Sequence, residues 1–530
     1  MIMTRNDEEG IMRSCLKSAF AVLCCLIFLF FAACGAPEAP EAPAAPEEQP
    51  GVSEPAVQEI GKPAHTKEVS NKTPKYVFLF IGDGMSFAQV NAAQIYKGSI
   101  SQEELDIGKL SFTQFPVTGM ATTYDTTSFC PDSASAGTAL SCGIKTKSGV
   151  LGLAADKETR PKNIAEMLKE DGRKIGIVST VSINNATPAA FYAHVPSRSY
   201  YYDIAMQMAL SGFDYFGGGS LVDPAGDDGD EEDAFDVLKQ NGYTIVDTKE
   251  EIMALGSNSG RVYAVSPELQ NSGAMPYSLD AAGDDLSLAD FVSKGIDVLD
   301  NENGFFMVCE SGMIDWACHA NDAMTAIAET LVLEDAVGEA LEFADAHPGE
   351  TLIVVTADHE TGGMALGYAA TDYDTNFSIL EGQTLSYSAF NTAFSEMKKA
   401  DPQLMMSDVL LVIKESFGLV APDDPDAALT QNAGRVLSAY EYEKLASALS
   451  ESLGNRKSGK DESKLLYGGY EPLTVTLTHI LNNKAGIGWT SYAHTGGLVP
   501  VFAYGADAQS FSGSYDNTDI FAKLVDICGL

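Results

Sequence analysis

The strongest constraint on the fold is a short apolar run that recurs along the chain and often leads into an acidic residue. Each run has the length and continuous apolar character of a strand that is buried on both faces of a sheet. The five clearest runs are Tyr76–Ile81, Ile175–Thr180, Phe305–Cys309, Thr351–Thr356 and Val499–Tyr504. Segments with helical patterns separate these runs, as in chains that alternate strands and helices. The pattern predicts an α/β fold with a predominantly parallel central sheet flanked by helices.

The segments between the runs carry two further predictions. Residues 161–171 predict a helix that begins at Pro161 and ends before Gly172. Residues 365–485 contain helical patterns at about 386–399, 404–416 and 438–453, joined by polar stretches. We interpret residues 365–485 as a helical cap inserted into a folded domain that spans residues 73–530.

The N-terminal segment predicts export. Ala19–Phe31 is a continuous apolar run that follows Arg13 and Lys17, and it is too short to span a membrane comfortably. The small residues before Cys34 resemble a bacterial lipobox, which implies a signal peptide over 1–33 and lipidation of the Cys34 thiol. An ordinary signal peptide or an uncleaved anchor is the alternative. The acidic residues among the first eleven positions point to Met12 as the true start.

The stretch over residues 34–72 predicts a tether. It is rich in Pro, Ala and Glu and has almost no large apolar residues, so it cannot bury a core of its own. An extended tether after a lipidated cysteine would hold a folded domain away from a membrane. The predicted location is therefore the periplasm or the cell surface, as a membrane-tethered lipoprotein.

The charge balance of the chain argues against polyanionic partners and sets a condition for an anionic substrate. The chain has 74 acidic and 33 basic residues, a formal net charge of −41. This charge argues against nucleic acid as a partner and against electrostatic docking on anionic lipid. An anionic substrate would need a local positive centre to overcome the field of the chain.

Cysteines and the acidic loop leave alternatives open. The sequence has no CxxC metal pattern, and Cys130 and Cys142 could form a short-loop disulfide in an exported protein. Cys309 and Cys318 are more easily interpreted as buried thiols. The acidic loop Asp223–Asp233 could hold calcium, although it lacks the full spacing of an EF-hand, and a solvated loop is the alternative.

A set of carboxylates and histidines stands at or just beyond the ends of the predicted strands. Asp315 and His319 are four positions apart, so they would share a face of a helix. Mixed imidazole and carboxylate ligands suit zinc, whereas carboxylate and hydroxyl ligands suit magnesium. A single acid at a strand end is more often a turn or capping residue, but here the candidates converge. They are Asp83, Glu310, Asp315, His319, Asp358, His359 and His494. The remaining histidines, His65, His194, His347 and His479, are interpreted as non-ligands.

The stretch from Phe129 to Thr138 predicts a site for an anion. It places Asp132 beside Ser133 and follows them with very small residues, which allow a helix to begin close against another element. Backbone N–H groups and the macrodipole favour negative charge at a helix N-terminus. A serine at this position suits attack on a phosphate, although close helix packing alone would also explain the small residues.

The ordered motifs of the chain resemble those of the alkaline phosphatase family, from residue 76 to residue 513. The motifs are Ile81-Gly82-Asp83-Gly84-Met85, Pro131-Asp132-Ser133-Ala134, Asn185-Ala186-Thr187-Pro188, His194-Val195-Pro196-Ser197-Arg198, Glu310-Ser311-Gly312-Met313-Ile314-Asp315 with His319, Thr356-Ala357-Asp358-His359-Glu360-Thr361-Gly362-Gly363, and His494-Thr495-Gly496-Gly497.

The resemblance implies a role for each candidate. Ser133 would be the nucleophile that forms a phosphoserine, and Arg198 would bind two phosphoryl oxygens. One Zn²⁺ would bind Asp315, His319 and His494. A second Zn²⁺ would bind Asp83, Asp358 and His359, with the Ser133 oxygen completing its shell. A Mg²⁺ would bind Asp83, Thr187 and Glu310. The implied activity is hydrolysis of small phosphomonoesters with broad specificity, by a protein whose relatives are often homodimers.

Two positions depart from residues that are frequent in this family. Asn185 stands where the family often has Asp or His, and Trp316 stands where it often has Lys or His. Asn185 brings no charge to the predicted magnesium site, and Trp316 cannot donate charge to a bound phosphate. We hypothesise that both residues contact the site and that phosphate is held less tightly. The alternative is that both fill space.

Other activities of the same superfamily need to be separated from this one. A sulfatase requires a Cys/Ser-x-Pro-x-Arg site, which Cys130-Pro131-Asp132 does not supply. A phosphodiesterase would use a similar two-zinc site and stays open, as does a surface lipoprotein that binds metal without catalysis.

Overall fold

The computed structural model of the protein describes residues 73–101 and 106–530. The predicted signal peptide, the start at Met12, the lipidated Cys34, the tether over 34–72 and His65 lie outside these residues and stay predictions. Within the described ranges, no helix combines the length and the apolar character that crossing a membrane would need.

All five apolar runs form strands in the structure. In chain order the strands are β1 (Tyr76–Gly82), β2 (Val117–Thr122), β3 (Lys174–Ser179), β4 (Tyr215–Gly218), β5 (Tyr243–Val246), β6 (Arg261–Val265), β7 (Phe305–Ser311), β8 (Thr351–Thr356), β9 (Glu360–Thr361), β10 (Ala365–Leu366), β11 (Ile487–Gly488), β12 (His494–Thr495), β13 (Val499–Gly505) and β14 (Gly513–Asp516).

The α-helices flank the strands along most of the chain. In chain order they are α1 (Phe87–Ser101), α2 (Ser133–Cys142), α3 (Ile164–Glu170), α4 (Ala186–Ala189), α5 (Tyr201–Leu210), α6 (Ala234–Gln240), α7 (Lys249–Met253), α8 (Leu288–Leu299), α9 (Met313–His319), α10 (Ala323–Ala346), α11 (Tyr387–Ala400), α12 (Met406–Phe417), α13 (Ala439–Ser452), α14 (Lys460–Tyr467), α15 (Pro472–Ala485) and α16 (Thr518–Cys528).

A ten-stranded sheet forms the centre of the fold, in the order β14-β2-β13-β8-β1-β7-β3-β4-β6-β5. β1 pairs in parallel with β7 and β8, and β3 pairs in parallel with β7 and β4. Every residue of β1, β7 and β8 is buried, as expected for strands covered by helices on both faces. The predicted α/β fold with a predominantly parallel sheet is confirmed.

Within this sheet, β13 runs antiparallel to both of its neighbours, β2 and β8. Its first residues therefore lie at the edge where the parallel strands end, next to the residues that follow β1, β7 and β8. The short strand β12 reaches the same edge, because His494 pairs with Thr361 of β9. One edge of the sheet thus collects segments that precede β13 and segments that follow the parallel strands.

The helix predicted from Pro161 begins three residues later, at Ile164. The physical reason is a capping box: the Asn163 side chain accepts from the Glu166 N–H, and Glu166 accepts from the Asn163 N–H. Glycine follows the helix as predicted, because Gly172 adopts a positive φ of 94°.

The Cys130–Cys142 disulfide that the sequence left open is not formed. Cys130 is exposed in the loop before α2, whereas Cys142 is buried at the other end of that helix, and both thiols are free. Burial of Cys309 and Cys318 is confirmed. Among the described residues, the two groups of side chains that could jointly hold a metal ion include no residue of Asp223–Asp233.

The stretch over 365–485 contains the three predicted helices, which are α11, α12 and α13. Two further helices, α14 and α15, were not predicted. α15 begins with Pro472 in its first turn and is capped by the Glu471 side chain, which accepts from the Thr474 N–H. Ten of its fourteen residues are buried, polar residues among them, so it lacks the one-sided pattern of a surface helix. The function of this stretch as a cap stays a prediction.

Candidate active site

Two groups of metal-ligating side chains lie at the edge where the parallel strands end. One group is Asp315, His319 and His494, and the other is Asp83, Asp358 and His359. Within each group, one ligand atom from each residue lies within 4.8 Å of the others. The imidazole rings of His359 and His494 stack with their centroids 3.6 Å apart, so the two groups are neighbours.

In the first group, two imidazole nitrogens face each other as acceptors. Nδ1 of His319 donates to the carbonyl oxygen of Tyr492 at 2.7 Å, and Nδ1 of His494 donates to that of Pro131 at 2.6 Å. A neutral imidazole that donates from Nδ1 carries a lone pair on Nε2. The two Nε2 atoms are nevertheless 3.1 Å apart. Two lone pairs at this distance repel each other, so the arrangement requires either a proton between the nitrogens or a metal ion that both bind.

Asp315 completes the first group from the same helix as His319. Its carboxylate oxygens lie 3.4 Å from Nε2 of His319 and 3.6 Å from Nε2 of His494. The segment is helical, as α9, so Asp315 and His319 share a face as their spacing predicts.

The second group is fully enclosed. Nε2 of His359 lies 3.2 Å from Oδ2 of Asp358 and 3.5 Å from Oδ1 of Asp83. Gly84 holds the turn after β1 with a positive φ of 72°, and its N–H donates to Oδ1 of Asp358. A side chain at Gly84 would collide with Thr361 and the backbone of Asp315. The glycine therefore allows the two ligand segments to approach.

Thr187 and Glu310 lie on the other side of Asp83. The Thr187 hydroxyl is 3.3 Å from Oδ2 of Asp83 and 3.4 Å from Oδ2 of Asp358. Glu310 accepts a short hydrogen bond from the Ser179 hydroxyl through Oε2. Oε1 of Glu310 and Oδ1 of Asp83 are buried without a hydrogen-bond partner. Buried carboxylate oxygens without a donor are costly unless they bind a cation.

The charges in this region also favour bound cations. Burial raises the pKa of Asp83 well above its ordinary value, and repulsion from Asp358, Asp315 and Glu310 raises it further. Burial likewise raises the pKa values of Asp358 and Glu310, with repulsion from Asp315 adding to both. Burial lowers the pKa of His359 well below its ordinary range, which keeps its imidazole neutral. Neutral imidazoles and crowded carboxylates together form a donor set that suits divalent cations.

Ser133 is the first residue of α2 and lies against the second group. Its hydroxyl oxygen is 3.2 Å from Nε2 of His359. Asp132 caps the helix by accepting from the Ser135 N–H. All residues of α2 are buried, and a Cβ at Gly137 would lie 3.0 Å from the Cβ of Ala190, just beyond α4. The small residues thus allow α2 to pack closely on the segment that carries Thr187.

Arg198 is held beside Ser133 by two acceptors. Nη1 donates to Oδ2 of Asp132, and Nη2 donates to Oδ1 of Asn185, each at 3.2 Å. Burial raises the pKa of the Asp132 carboxyl, but the Arg198 guanidinium and the N–H groups of Gly149 and Ser135 lower it by more. The pKa of Asp132 is therefore below its ordinary value. The guanidinium is the positive group that an anionic substrate needs in a chain of this charge.

Trp316 and the other histidines have different surroundings. Trp316 is half-buried on α9, between Asp315 and His319, and packs against the hydrophobic core. His194 bonds to the Gly152 carbonyl and to Glu166 through its two nitrogens. His347 bonds to the carbonyl of Phe343, and His479 bonds to Asn321.

Several residues that support the ligands were not found from the sequence. Thr361 donates to Oδ1 of Asp315 at 2.5 Å and contacts Nδ1 of His359, and Ser179 donates to Glu310. Asp125 accepts at 2.9 Å from the hydroxyl of Ser135, which lies two positions after Ser133. Backbone carbonyls orient His319 and His494. Hydroxyl and carbonyl groups are so common that a sequence pattern gave no signal for them.

Comparison with known proteins finds alkaline phosphatases among both the curated relatives and the solved structures. The family model described as "Alkaline phosphatase" matches residues 74–530. Alkaline phosphatase 3 of Bacillus subtilis (strain 168) is 30% identical over 458 residues, which cover 84% of this chain and 87% of the relative.

Two solved structures are similar over nearly their whole length. A cold-active alkaline phosphatase from a psychrophilic Shewanella sp. is 28% identical, with a TM-score of 0.69, covering 86% of this chain and 99% of its own. A histidine-to-aspartate variant of the alkaline phosphatase from the Antarctic bacterium TAB5 is described with Mg bound in the M3 site. It is 28% identical, with a TM-score of 0.58, covering 87% of this chain and 99% of its own.

Proposed function

The chain belongs to the alkaline phosphatase family, and from that membership we propose that it hydrolyses phosphomonoesters through a phosphoserine on Ser133, beside two zinc ions and one magnesium ion. Metal-dependent phosphomonoester hydrolysis is the activity of the family. The finer proposal rests above all on the two imidazole acceptors of His319 and His494, which face each other at 3.1 Å.

Three sets of residues would hold the metals. Asp315, His319 and His494 would bind one Zn²⁺, and Asp83, Asp358 and His359 would bind the other together with the Ser133 oxygen. Asp83 would share its second oxygen with Mg²⁺, beside Thr187 and Glu310. The described contacts support this division, because Oδ1 of Asp83 faces His359 while Oδ2 faces Thr187. The variant of the Antarctic enzyme that is described with Mg bound in its M3 site supports magnesium as one of the metals.

Bound cations would supply positive charge that lowers the pKa of a hydroxyl and stabilises the charge on the leaving oxygen. The Ser133 oxygen then attacks phosphorus in line with the ester oxygen, so that one P–O bond forms as the other breaks. The alcohol leaves, and Ser133 carries the phosphoryl group. Water attacks the phosphoserine in the second step, which releases inorganic phosphate and restores the Ser133 hydroxyl.

Arg198 would position the phosphoryl group in both steps. Its planar guanidinium can donate two parallel hydrogen bonds to two non-bridging oxygens. Asp132 and Asn185 hold the guanidinium through Nη1 and Nη2. Asn185 would thus act by orienting Arg198, a contact that its neutral side chain can make without competing for the metals.

Broad specificity follows from the same arrangement. Every contact proposed here is made to the phosphoryl group or to the ester oxygen, and none is made to the rest of the alcohol. Small phosphomonoesters with different leaving groups would therefore be substrates.

A phosphodiesterase of the same superfamily is the second candidate, and a rate comparison separates the two. We expect kcat/KM for nitrophenyl phosphate to exceed that for bis-nitrophenyl phosphate by about 100-fold or more, because Arg198 and the metals favour the extra charge of a monoester. The measurement needs both substrates on one preparation and the Ser133→Ala variant as a check on contaminating activity. Faster hydrolysis of the diester would identify a phosphodiesterase instead.

Trp316 offers a separate test of the phosphate site. We expect Trp316→Lys to lower the inhibition constant of inorganic phosphate by about 10-fold, which corresponds to about 1.4 kcal/mol, because an added ammonium near bound phosphate would attract it. Inhibition of nitrophenyl phosphate hydrolysis gives the constant, and Trp316→Phe serves as a control that adds no charge. An unchanged inhibition constant in the lysine variant would mean that Trp316 only fills space.

A further inference from the structure

Asn321 joins the two chain segments that carry His319 and His494. Its Nδ2 donates to the carbonyl of Cys318 and to that of Ser491, each at 2.9 Å. Cys318 directly precedes His319, and Ser491 lies three positions before His494. The Asn321 side chain is buried, and its backbone has the left-handed φ of 51° that asparagine tolerates better than most residues. A single amide group thus links two ligand segments that are distant in the sequence.

Helix α15 holds Asn321 from the other side. Nε2 of His479 lies 3.0 Å from Oδ1 of Asn321, and the Asn482 amide donates to the Asn321 carbonyl at 2.6 Å. Because Nδ2 of Asn321 already donates to two carbonyls, its Oδ1 must accept, and His479 must donate. Burial lowers the pKa of His479 to about 4, so its imidazole is neutral and has one N–H for this bond.

The same region fixes the carbonyl that orients His319. That carbonyl belongs to Tyr492, whose hydroxyl donates to the Leu466 carbonyl at 2.5 Å. The Tyr492 ring stacks on His479 with centroids 5.8 Å apart and an angle of 23° between the planes. Residues 460–485 therefore contact both the amide that joins the ligand segments and the residue that sets the tautomer of His319.

We propose that Asn321 is a positioning residue, supported by α15, that keeps His319 and His494 close enough to share one Zn²⁺. The inference rests on the proposed function, because it assumes zinc at this pair. The two imidazoles come from segments that reach the site independently, so their Nε2 atoms stay close only if both backbones are fixed. Partners outside the metal shell that orient its ligands typically change metal affinity by about 10- to 100-fold. The stretch over 365–485 would then serve the metal centre as a support.

The test is Asn321→Asp, measured as zinc affinity of the metal-free protein against a competing chelator. Aspartate keeps the size, the left-handed backbone and an acceptor for His479, but it replaces the Nδ2 donor by an acceptor that faces two carbonyls. We expect affinity at one zinc site to fall by about 10- to 100-fold, with the second site unchanged.

Asn301→Asp is the matched control. Asn301 also donates from Nδ2 to two carbonyls, those of Leu299 and Gly304 at 2.7 and 2.9 Å, but it lies before β7 at the opposite edge of the sheet. We expect this variant to keep the zinc affinity of the parent. Equal zinc affinity in Asn321→Asp and Asn301→Asp, with only a lower melting temperature in each, would overturn the proposal.

A second pair of variants covers the case in which Asn321→Asp does not fold. We expect His479→Leu to weaken zinc binding and His479→Gln, which restores an N–H donor, to recover most of it. Equal affinities in these two variants would also overturn the proposal. Failure of the proposed function would look different, because His494→Gln would then bind as much zinc as the parent protein.

Discussion

Ser133→Ala is expected to abolish turnover while the protein keeps its metals. The serine oxygen is the group that would attack phosphorus, and removal of a catalytic nucleophile costs about 10⁴-fold or more in kcat. Each metal keeps at least three other ligands in this variant, so the metal content should not fall. The measurements are kcat with nitrophenyl phosphate and metal analysis of the dialysed protein.

The matched control is Ser141→Ala, which removes a buried hydroxyl from the far end of the same helix. The Ser141 hydroxyl contacts only its neighbour Cys142 among the described hydrogen bonds. We expect near-parental kcat from this variant. Mass spectrometry of parent protein quenched in acid with phosphate should locate the phosphoryl group on the tryptic peptide that contains Ser133. A fully active Ser133→Ala protein would refute the proposed mechanism.

Asp83→Asn is expected to remove two metals at once. The two oxygens of Asp83 face different partners, since Oδ1 lies 3.5 Å from Nε2 of His359 and Oδ2 lies 3.3 Å from the Thr187 hydroxyl. Loss of its charge therefore weakens the predicted second zinc site and the predicted magnesium site together. We expect kcat to fall by about 10³-fold or more, because both cations contribute to charge stabilisation.

His494→Gln provides the comparison, because His494 belongs to the first group alone. Metal analysis after dialysis should show one zinc lost from His494→Gln, and one zinc together with magnesium lost from Asp83→Asn. Chelation of the parent should abolish activity, and zinc with magnesium should restore it. Loss of a single metal from Asp83→Asn would show that Asp83 does not bridge the two positions.

Most of the fold could be predicted because strand patterns are local. The apolar runs that form β1, β3, β7 and β8 are buried on both faces, and this burial is visible in each run by itself. The boundaries of helices were predicted less well. Helix α3 begins at Ile164 because Asn163 and Glu166 form a capping box, a feature that outweighs the preference for proline at a helix start.

The sequence could not decide whether Cys130 and Cys142 are bridged. Cys130 and Cys142 are close in sequence, but α2 lies between them and separates one exposed thiol from one buried thiol. Sequence separation measures only the length of the loop, whereas disulfide formation depends on the distance between the two Cβ atoms.

The sequence by itself determined which residue types could meet at the site. Asp83, Glu310 and Asp358 end or follow strands that run in parallel, so their approach follows from the order of strands and helices. The spacing of Asp315 and His319 likewise placed both side chains on one helical face. These features depend on local backbone geometry and on the rule that parallel strands end at one edge.

Only the tertiary structure decided how His494 reaches that site. A residue that precedes a parallel strand would lie at the opposite edge of the sheet, far from Asp315 and His319. β13 runs antiparallel to β8, and β12 pairs with β9, so His494 arrives where the parallel strands end. Strand direction depends on how distant segments pair, and so does the Asn321 amide that joins Cys318 to Ser491. The pairing of these segments requires contacts that no local pattern in the chain encodes.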